Sequence, residues 1–140
     1  MNEILVEAAP APERQPVPAV LAAVAAWILP GLGHLLLRQW GRGCAVFAAV
    51  AGLVMSGYLL RGVVFPIHLH DMRADPLTFL GGIGDAGSGI FYALARVIEK
   101  SGADVSRAAG DYGTRFIAAA GVANYLSVAD AFEIASGKKS

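Results

Sequence analysis

Residues 17–37 form a run of 21 residues in which His34 is the only ionisable side chain. An α-helix rises ~1.5 Å per residue, so about 20 apolar residues cross the ~30 Å hydrocarbon core of a bilayer. A second uncharged run, residues 44–60, follows six residues later and ends before Arg61. Two such runs joined by residues 38–43 predict an antiparallel transmembrane hairpin. The chain is therefore predicted to be an all-α integral membrane protein.

The overall composition supports this prediction. Hydrophobic residues make up 56% of the 140 residues and charged residues 16%, whereas soluble domains carry about 25% charged residues. The formal net charge is zero, and no basic run indicates binding to nucleic acid. No metal-binding cysteine motif and no nucleophile–base pattern is present, so neither a metal site nor an enzyme is predicted.

The rest of the chain divides by charge and glycine content. Residues 77–98 are apolar but contain Asp85 and five glycines between 81 and 89, which predicts a third span, a re-entrant segment or an interfacial helix. Residues 112–135 are predicted to form a C-terminal transmembrane helix. The remaining segments are a flexible, acidic and proline-rich tail (1–16), two loops (61–76 and 99–111) and a basic tail (136–140).

Two rows of residues spaced four apart predict how the hairpin packs. Helices in lipid associate through small side chains that let their backbones approach closely. The rows are predicted to face each other, although small residues are also common in membrane helices for other reasons. They consist of Ala22, Ala26, Pro30 and His34 on the first run and Cys44, Ala48, Gly52 and Ser56 on the second. Pro30 is expected to kink the first helix, because proline cannot donate a backbone hydrogen bond.

The loop region carries the residues expected at a membrane interface. Interfacial aromatic rings and arginines commonly anchor membrane helices. The predicted anchors are Arg38, Trp40, Arg42 and Arg61.

The motif Pro30-Gly31-Leu32-Gly33-His34, followed by Trp40, Arg42 and Gly43, resembles the bacterial two-transmembrane hairpin domain, with its pattern P-G-x-G-H-x-Y-x-G. The similarity covers residues 26–60. Leu36 replaces the usual aromatic residue, and Arg38 stands where glycine is common. Residues 124–135 are also similar to uncharacterised small bacterial membrane proteins that add a C-terminal helix to such a hairpin. The resemblance implies a bacterial inner-membrane protein with the 38–43 loop on the cytoplasmic side, and it implies no activity.

His34 lies within the first apolar run and has two interpretations. It is either an axial ligand to haem or chlorophyll, or a residue that hydrogen-bonds a neighbouring helix beside the Pro30 kink. The other histidines, His68 and His70, stand near Asp71 and suggest either a zinc site or, more simply, a solvated loop.

Two further groups of residues are candidate sites. Residues 82–87 match G-x-G-x-x-G, but without a strand–helix context the pattern indicates a glycine-rich break rather than a nucleotide site. Asn124, Ser127 and Asp130 place polar groups on the last helix. They predict contacts with another helix, with Asp130 pairing to Lys138 or Lys139 near the interface, or alternatively an ion or proton path.

These features together predict a non-catalytic accessory or assembly subunit of a larger membrane complex, of a respiratory or photosynthetic type among others. Two alternatives remain: a haem- or chlorophyll-binding subunit that uses His34, and a small transporter or channel-like homo-oligomer that uses Asp130 and Asn124. The expected partners are the lipid bilayer and that larger complex. With four spans, the positive-inside rule places the 38–43 loop in the cytoplasm and the C-terminal lysines outside.

Overall fold

The computed structural model describes residues 17–65, 76–98 and 108–139, and every regular element in these ranges is an α-helix. The tail 1–16, the motif around His68 and His70, and most of both predicted loops lie outside the described residues. The helices are α1 (Ala19–Ile28), α2 (Leu32–Leu36), α3 (Trp40–Leu59), α4 (Pro76–Ala86), α5 (Ile90–Ile98) and α6 (Ala108–Ala135). Two of them are long and apolar enough to cross a membrane, over Trp40–Leu59 and Tyr112–Ala135. The prediction of an all-helical chain with membrane-length helices is confirmed to this extent.

The first apolar run is broken at Pro30 rather than kinked. Proline disfavours a helical conformation in the preceding residue, and Leu29 is extended, with φ −124° and ψ 112°. Gly31 then takes the left-handed conformation, with φ +85°, and reverses the chain. The helix α2 packs back on α1, with Gly33 against the Ala22 carbonyl. The structure therefore differs from the predicted continuous helix over 17–37: α1 and α2 form a short helix pair that returns to the end where it began.

The glycine-rich segment forms a second pair of this kind. The helix α4 ends at Ala86, and Gly89, with φ +62°, completes the turn into α5. Both helices of this pair contact the residues that follow α3: the α4 residue Gly81 packs on the Phe65 ring, the Tyr92 hydroxyl of α5 donates to the Phe65 carbonyl at 3.4 Å, and Ala95 of α5 is in a cluster with Val64 and Ile117. Residues 76–98 are therefore two short helices joined by a turn, not one continuous helix.

The helix α6 is the centre of the molecule, and α1, α3 and α4 all pack against it. Its crossing with α3 is close because three glycines meet there. A methyl group on Gly57 would lie 2.7 Å from the Gly113 carbonyl oxygen, and Gly62 lies against the Gly113 and Thr114 backbone. The C-terminal end of α3 thus meets the N-terminal end of α6, and the two long helices run antiparallel.

Two ends of the molecule can therefore be distinguished. The "Arg38 end" contains the α2–α3 turn and the C-terminal end of α6, and the "Phe65 end" contains the end of α3 and the start of α6. The pair α1–α2 enters from the Arg38 end, and the pair α4–α5 enters from the Phe65 end. Each pair is followed by a long helix that runs to the opposite end, so the described residues contain the same arrangement twice with opposite direction.

Candidate functional site

Asn124 joins the tips of the two helix pairs. Its side-chain Nδ2 donates to the Gly87 carbonyl at 2.8 Å and to the Trp27 carbonyl at 3.3 Å. The residue is fully buried, at 0% exposure. A carbonyl at the end of a broken helix has no partner within that helix, so one amide group satisfies an acceptor from each pair.

The backbones of the two tips also touch directly. Gly89 lies against the Trp27 and Ile28 carbonyl groups, so that a side chain at this position would overlap them. On α6, Gly121 lies in the same way against the Gly84 carbonyl. A Cβ at Gly121 would overlap that carbonyl and would lie 3.1 Å from the Ser88 nitrogen. Glycine is required here because two backbones approach more closely than a Cβ allows.

A second polar group lies at the Arg38 end. His34, at 1% exposure, is 3.0 Å through Nε2 from the Asp130 carboxylate oxygen Oδ2. The other oxygen of that carboxylate accepts a hydrogen bond from the Lys139 ammonium group. The imidazole of α2 is thereby connected through α6 to the partly exposed C-terminal segment.

A third polar group lies at the Phe65 end. Asp85, at 0% exposure, accepts a hydrogen bond from the Phe65 N–H at 2.8 Å. Thr114 accepts one from the Val63 N–H at 3.0 Å and donates to the Gly110 carbonyl at 3.0 Å. Two side chains of the second half thus fix the extended residues that follow α3. Asp85 was noted in the sequence as a charge within an apolar run, and that was the available signal for this contact.

A family model matches residues 21–140, which takes in α2 to α6 and most of α1. The chain belongs to the DUF6677 family. DUF6677 is described as a family of unknown function, and no curated protein and no solved structure matches the chain. The matched region contains all three polar groups.

In this DUF6677 member, the two small-residue rows do not face each other, which corrects the predicted packing. The row of the first run is buried inside the molecule, with Ala26 against Gly33 of α2 and His34 beside Asp130 of α6. The row of α3 is exposed, and a methyl group on Gly52 would meet nothing within 4 Å. The reason is that α3 turns Gly57 toward α6, and Gly62 follows just after the helix on the same side, which leaves the other face of α3 outward. The exposed residues are Cys44, Ala48, Gly52 and Ser56.

The other predicted residues of the hairpin lie near the Arg38 end. Gly31, the residue at the break between α1 and α2, lies against the Gly43 carbonyl in the first turn of α3. Trp40 is 65% exposed, and the Arg42 guanidinium donates to the Gln39 side chain at 3.1 Å. The long helix begins at Trp40, four residues earlier than predicted, so the connection from α2 is only residues 37–39.

A contact with a neighbouring helix is one of the two interpretations given above for His34, Asn124 and Asp130. In the structure, all three residues make such a contact. Because Nε2 of His34 already faces Asp130 and the ring is buried, a macrocycle metal would have to displace that carboxylate to reach this nitrogen.

The remaining motifs do not form sites in the described part of the chain. Residues 82–87 are in α4 and its C-terminal turn, not between a strand and a helix. Among the described residues, no group of three or more His, Cys, Asp or Glu side chains is arranged to hold a metal ion.

Proposed function

We propose that this DUF6677 chain is an integral membrane protein of the bacterial inner membrane and serves as a non-catalytic accessory subunit of a larger membrane complex. The membrane part of this proposal rests on a pattern of burial opposite to that of a soluble protein, with polar side chains inside and large apolar side chains outside. His34, Asp85 and Asn124 are buried, whereas large apolar side chains are on the outside; Leu59, Leu77 and Val97 are 78%, 80% and 76% exposed. Soluble proteins rarely present such extensive apolar surface to water, and lipid accommodates it.

Helix lengths support the same environment. The 20 residues of α3 extend about 30 Å and the 24 residues of Tyr112–Ala135 about 36 Å, which matches the hydrocarbon core. The 10 residues of α1 extend only about 15 Å, half of that thickness. In the proposed membrane, α3 and α6 cross and the two broken pairs are re-entrant.

The buried position of both breaks fits this proposal. Non-helical backbone is tolerated at membrane depth only where protein or a water-filled cavity covers it. The turns at Pro30 and Gly89 lie against α6 or each other, and Asn124, which bonds to both tips, stands near the middle of Tyr112–Ala135. The Trp27 and Gly87 carbonyl groups are therefore hydrogen-bonded within the protein and need no partner from the lipid.

The accessory role is supported by the outer face of α3. Its exposed row of Cys44, Ala48, Gly52 and Ser56 leaves a shallow strip along a helix that is otherwise flanked by large side chains such as Met55. In lipid, strips of this kind let another helix approach closely. The polar groups, by contrast, are directed into the molecule and connect its own helices.

The membrane part of the proposal is tested by extraction. The protein should remain in the membrane fraction after carbonate and high-salt washing and should be released by detergent. Release by carbonate alone would contradict membrane insertion.

The accessory part is tested by cross-linking at Cys44, which is exposed. A maleimide–photoreactive reagent on Cys44 in native membranes should capture a specific second membrane protein in a mild-detergent extract. A matched control carries Leu126→Cys in a Cys44→Ser background, because Leu126 is also exposed on α6 but outside the strip. Equal capture of the same proteins from both positions would contradict docking through α3.

A second candidate is a small transporter or channel-like homo-oligomer. The observation that favours it is the meeting of two broken helix pairs from opposite ends at the middle of α6, because transporters bind substrates where discontinuous helices meet near the midplane. Native mass measurement distinguishes the candidates. A homo-oligomer that supports ion or solute flux in proteoliposomes would favour transport, and a hetero-complex without flux would favour the accessory role.

A further inference from the structure

Three buried polar atoms have no hydrogen-bond partner among the described residues: His34 Nδ1, Asn124 Oδ1 and Ser127 Oγ. The three residues are 1%, 0% and 6% exposed. Buried side-chain polar atoms are nearly always hydrogen-bonded, to protein or to ordered water. Three such atoms in one region therefore indicate a small polar guest.

Two of these residues, Asn124 and Ser127, lie on α6, and they are followed there by Asp130, the residue that contacts His34. Asn124, Ser127 and Asp130 are spaced by three residues, so each is displaced by about 4.5 Å along the helix axis from the one before. His34 is held beside Asp130 by the 3.0 Å contact. A water molecule with two partners at about 2.8 Å each bridges separations of this size, so one or two waters suffice between neighbouring members.

The donors and acceptors identify the guest. Asn124 uses its amide nitrogen on two carbonyl groups, which leaves Oδ1 as an acceptor. His34 presents Nε2 to a carboxylate, so this nitrogen donates, and in the tautomer with a single ring proton Nδ1 is an acceptor. Ser127 offers one hydroxyl proton. Two acceptors and one donor are short of donors, and water supplies two donors and accepts from the hydroxyl.

We infer that Asn124, Ser127 and His34 bind a file of internal water molecules, reaching from the Arg38 end to the middle of α6. The outer member of the file is at Asp130, whose side chain is 25% exposed beside the 50% exposed Lys139. The inner member is at the amide that joins the two helix tips. This site is independent of the accessory role, because it rests on burial and hydrogen bonding within the chain.

The test uses the full-length, isotope-labelled protein in lipid bilayers and measures magnetisation transfer from water to side chains by solid-state NMR. We expect rapid transfer to the His34 ring and to the Asn124 amide, and a ¹⁵N shift of Nδ1 typical of an unprotonated, hydrogen-bonded nitrogen. Ser127→Ala should reduce the transfer to His34 several-fold, because it removes the middle partner. Ser56→Ala, on the exposed face of α3, is the matched control and should leave the transfer unchanged.

Three results would overturn the inference. The first is wild-type protein without transfer to either side chain, which would mean a dry interior. The second is transfer that Ser127→Ala leaves intact, which would place the water elsewhere. The third is a protonated Nδ1 that donates to Asn124 or Ser127, because the side chains would then satisfy one another without a guest.

Discussion

Arg38 and Arg61 have left-handed backbone conformations, with φ +63° and +56°, and both stand just after a helix. In each case the following residue donates back five positions: Gln39 to the His34 carbonyl at 2.8 Å, and Gly62 to the Gly57 carbonyl at 2.9 Å. This is the Schellman arrangement, in which glycine is the usual left-handed residue. A glycine at position 38 or 61 would take this conformation without the steric cost of a Cβ.

Replacement of Arg61 by glycine should therefore stabilise the protein. The left-handed conformation costs a residue with a Cβ roughly 1–2 kcal/mol, and we expect Arg61→Gly to raise the free energy of unfolding by about 1 kcal/mol once the extra flexibility of glycine is included. Denaturant unfolding in detergent measures it. Arg42→Gly is the control, since it places glycine in the first turn of a helix and should lower stability by up to about 1 kcal/mol. A loss of stability in Arg61→Gly would refute the assigned conformation.

Two glycines should respond to alanine in opposite ways. Gly121 lies against the Gly84 carbonyl, and an added methyl group would force α4 away from α6. By analogy with overpacked cores, Gly121→Ala should lower the free energy of unfolding by about 1–3 kcal/mol or more. Gly52 faces open space, so Gly52→Ala should be neutral or stabilise by up to about 1 kcal/mol through helix propensity. Thermal unfolding in detergent compares them. Equal destabilisation by both substitutions would contradict the described faces of α3 and α6.

The larger substitution Gly52→Leu separates folding from docking. Because the α3 strip makes no contact within the molecule at Gly52, this substitution should leave the melting temperature of the isolated protein within a few degrees of wild type. In the membrane, however, the leucine side chain should prevent close approach by a partner helix. Co-purification of the Cys44-linked partner should fall sharply. Unimpaired partner recovery would show that the strip faces lipid.

At the scale of the elements, the two helix pairs depend on one side chain. Asn124→Leu keeps the branching and the number of heavy atoms of the side chain but removes the donor shared by the Trp27 and Gly87 carbonyls. A buried acceptor left without a partner costs about 1–3 kcal/mol, so a loss of about 2–4 kcal/mol is expected, together with faster hydrogen exchange in both tips. Tyr125→Phe is the control, since it removes one bond from an exposed hydroxyl to the Ile83 carbonyl and should cost about 1 kcal/mol or less. A similar small loss in both variants would mean that the tips are held in some other way.

The existence of these elements was predictable, but their directions were not. Pro30 and the glycines between 81 and 89 marked both interruptions, because proline lacks a donor and glycine permits tight turns. Whether a chain continues or reverses after such a break depends on what it packs against. Here the deciding neighbour is α6, nearly 100 residues from α1, and no local pattern in residues 17–37 refers to it.

The polar residues of the last helix were identified more successfully than the small ones. A polar side chain in an apolar helix requires a partner, so Asn124 and Asp130 were expected to contact other helices, and they do. A small residue carries no such requirement. The row at Cys44, Ala48, Gly52 and Ser56 was more regular than the glycines at 57, 62 and 113, yet the latter form the close crossing.

At the scale of the whole molecule, the arrangement is a short helix pair and a long helix, repeated in the opposite direction. The halves share no repeated motif, since one reverses at Pro30 and Gly31 and the other at Gly87 to Gly89. What they share is the pattern of a half-length pair followed by a full-length helix. This explains how the described residues, which contain two membrane-length helices, can still cover their own polar centre from both sides.

This arrangement makes a topological prediction that differs from the four-span expectation. In a membrane, Pro18, Gln39 and Ser136 should all face the same side, because α1–α2 returns to its starting end and Asp130 is linked to both His34 and Lys139. Tyr112, at the start of the Tyr112–Ala135 stretch, should face the other side. Single cysteines at these four positions, in a Cys44→Ser background, can be labelled with a membrane-impermeant maleimide in intact and in permeabilised cells.

Whether the four positions react on the same side or on opposite sides tests the fold. The side of the membrane from which each position reacts gives the orientation of the protein. The positive-inside rule counts every Lys and Arg of the segments that flank the spans. In the proposed topology, segments 1–16, 38–43 and 136–140 face one side and carry five of them, and segments 61–76 and 96–115 face the other side and carry six. Unlike the four-span expectation, this topology gives the positive-inside rule no excess of basic residues on the side of the 38–43 loop, so the labelling itself decides the orientation. We expect labels at Pro18, Gln39 and Ser136 to react under the same condition, and the label at Tyr112 to show the opposite accessibility. Labelling of Pro18 from the side opposite to Gln39 would mean that residues 17–37 cross the membrane, and would contradict the re-entrant pair whichever way the molecule is inserted.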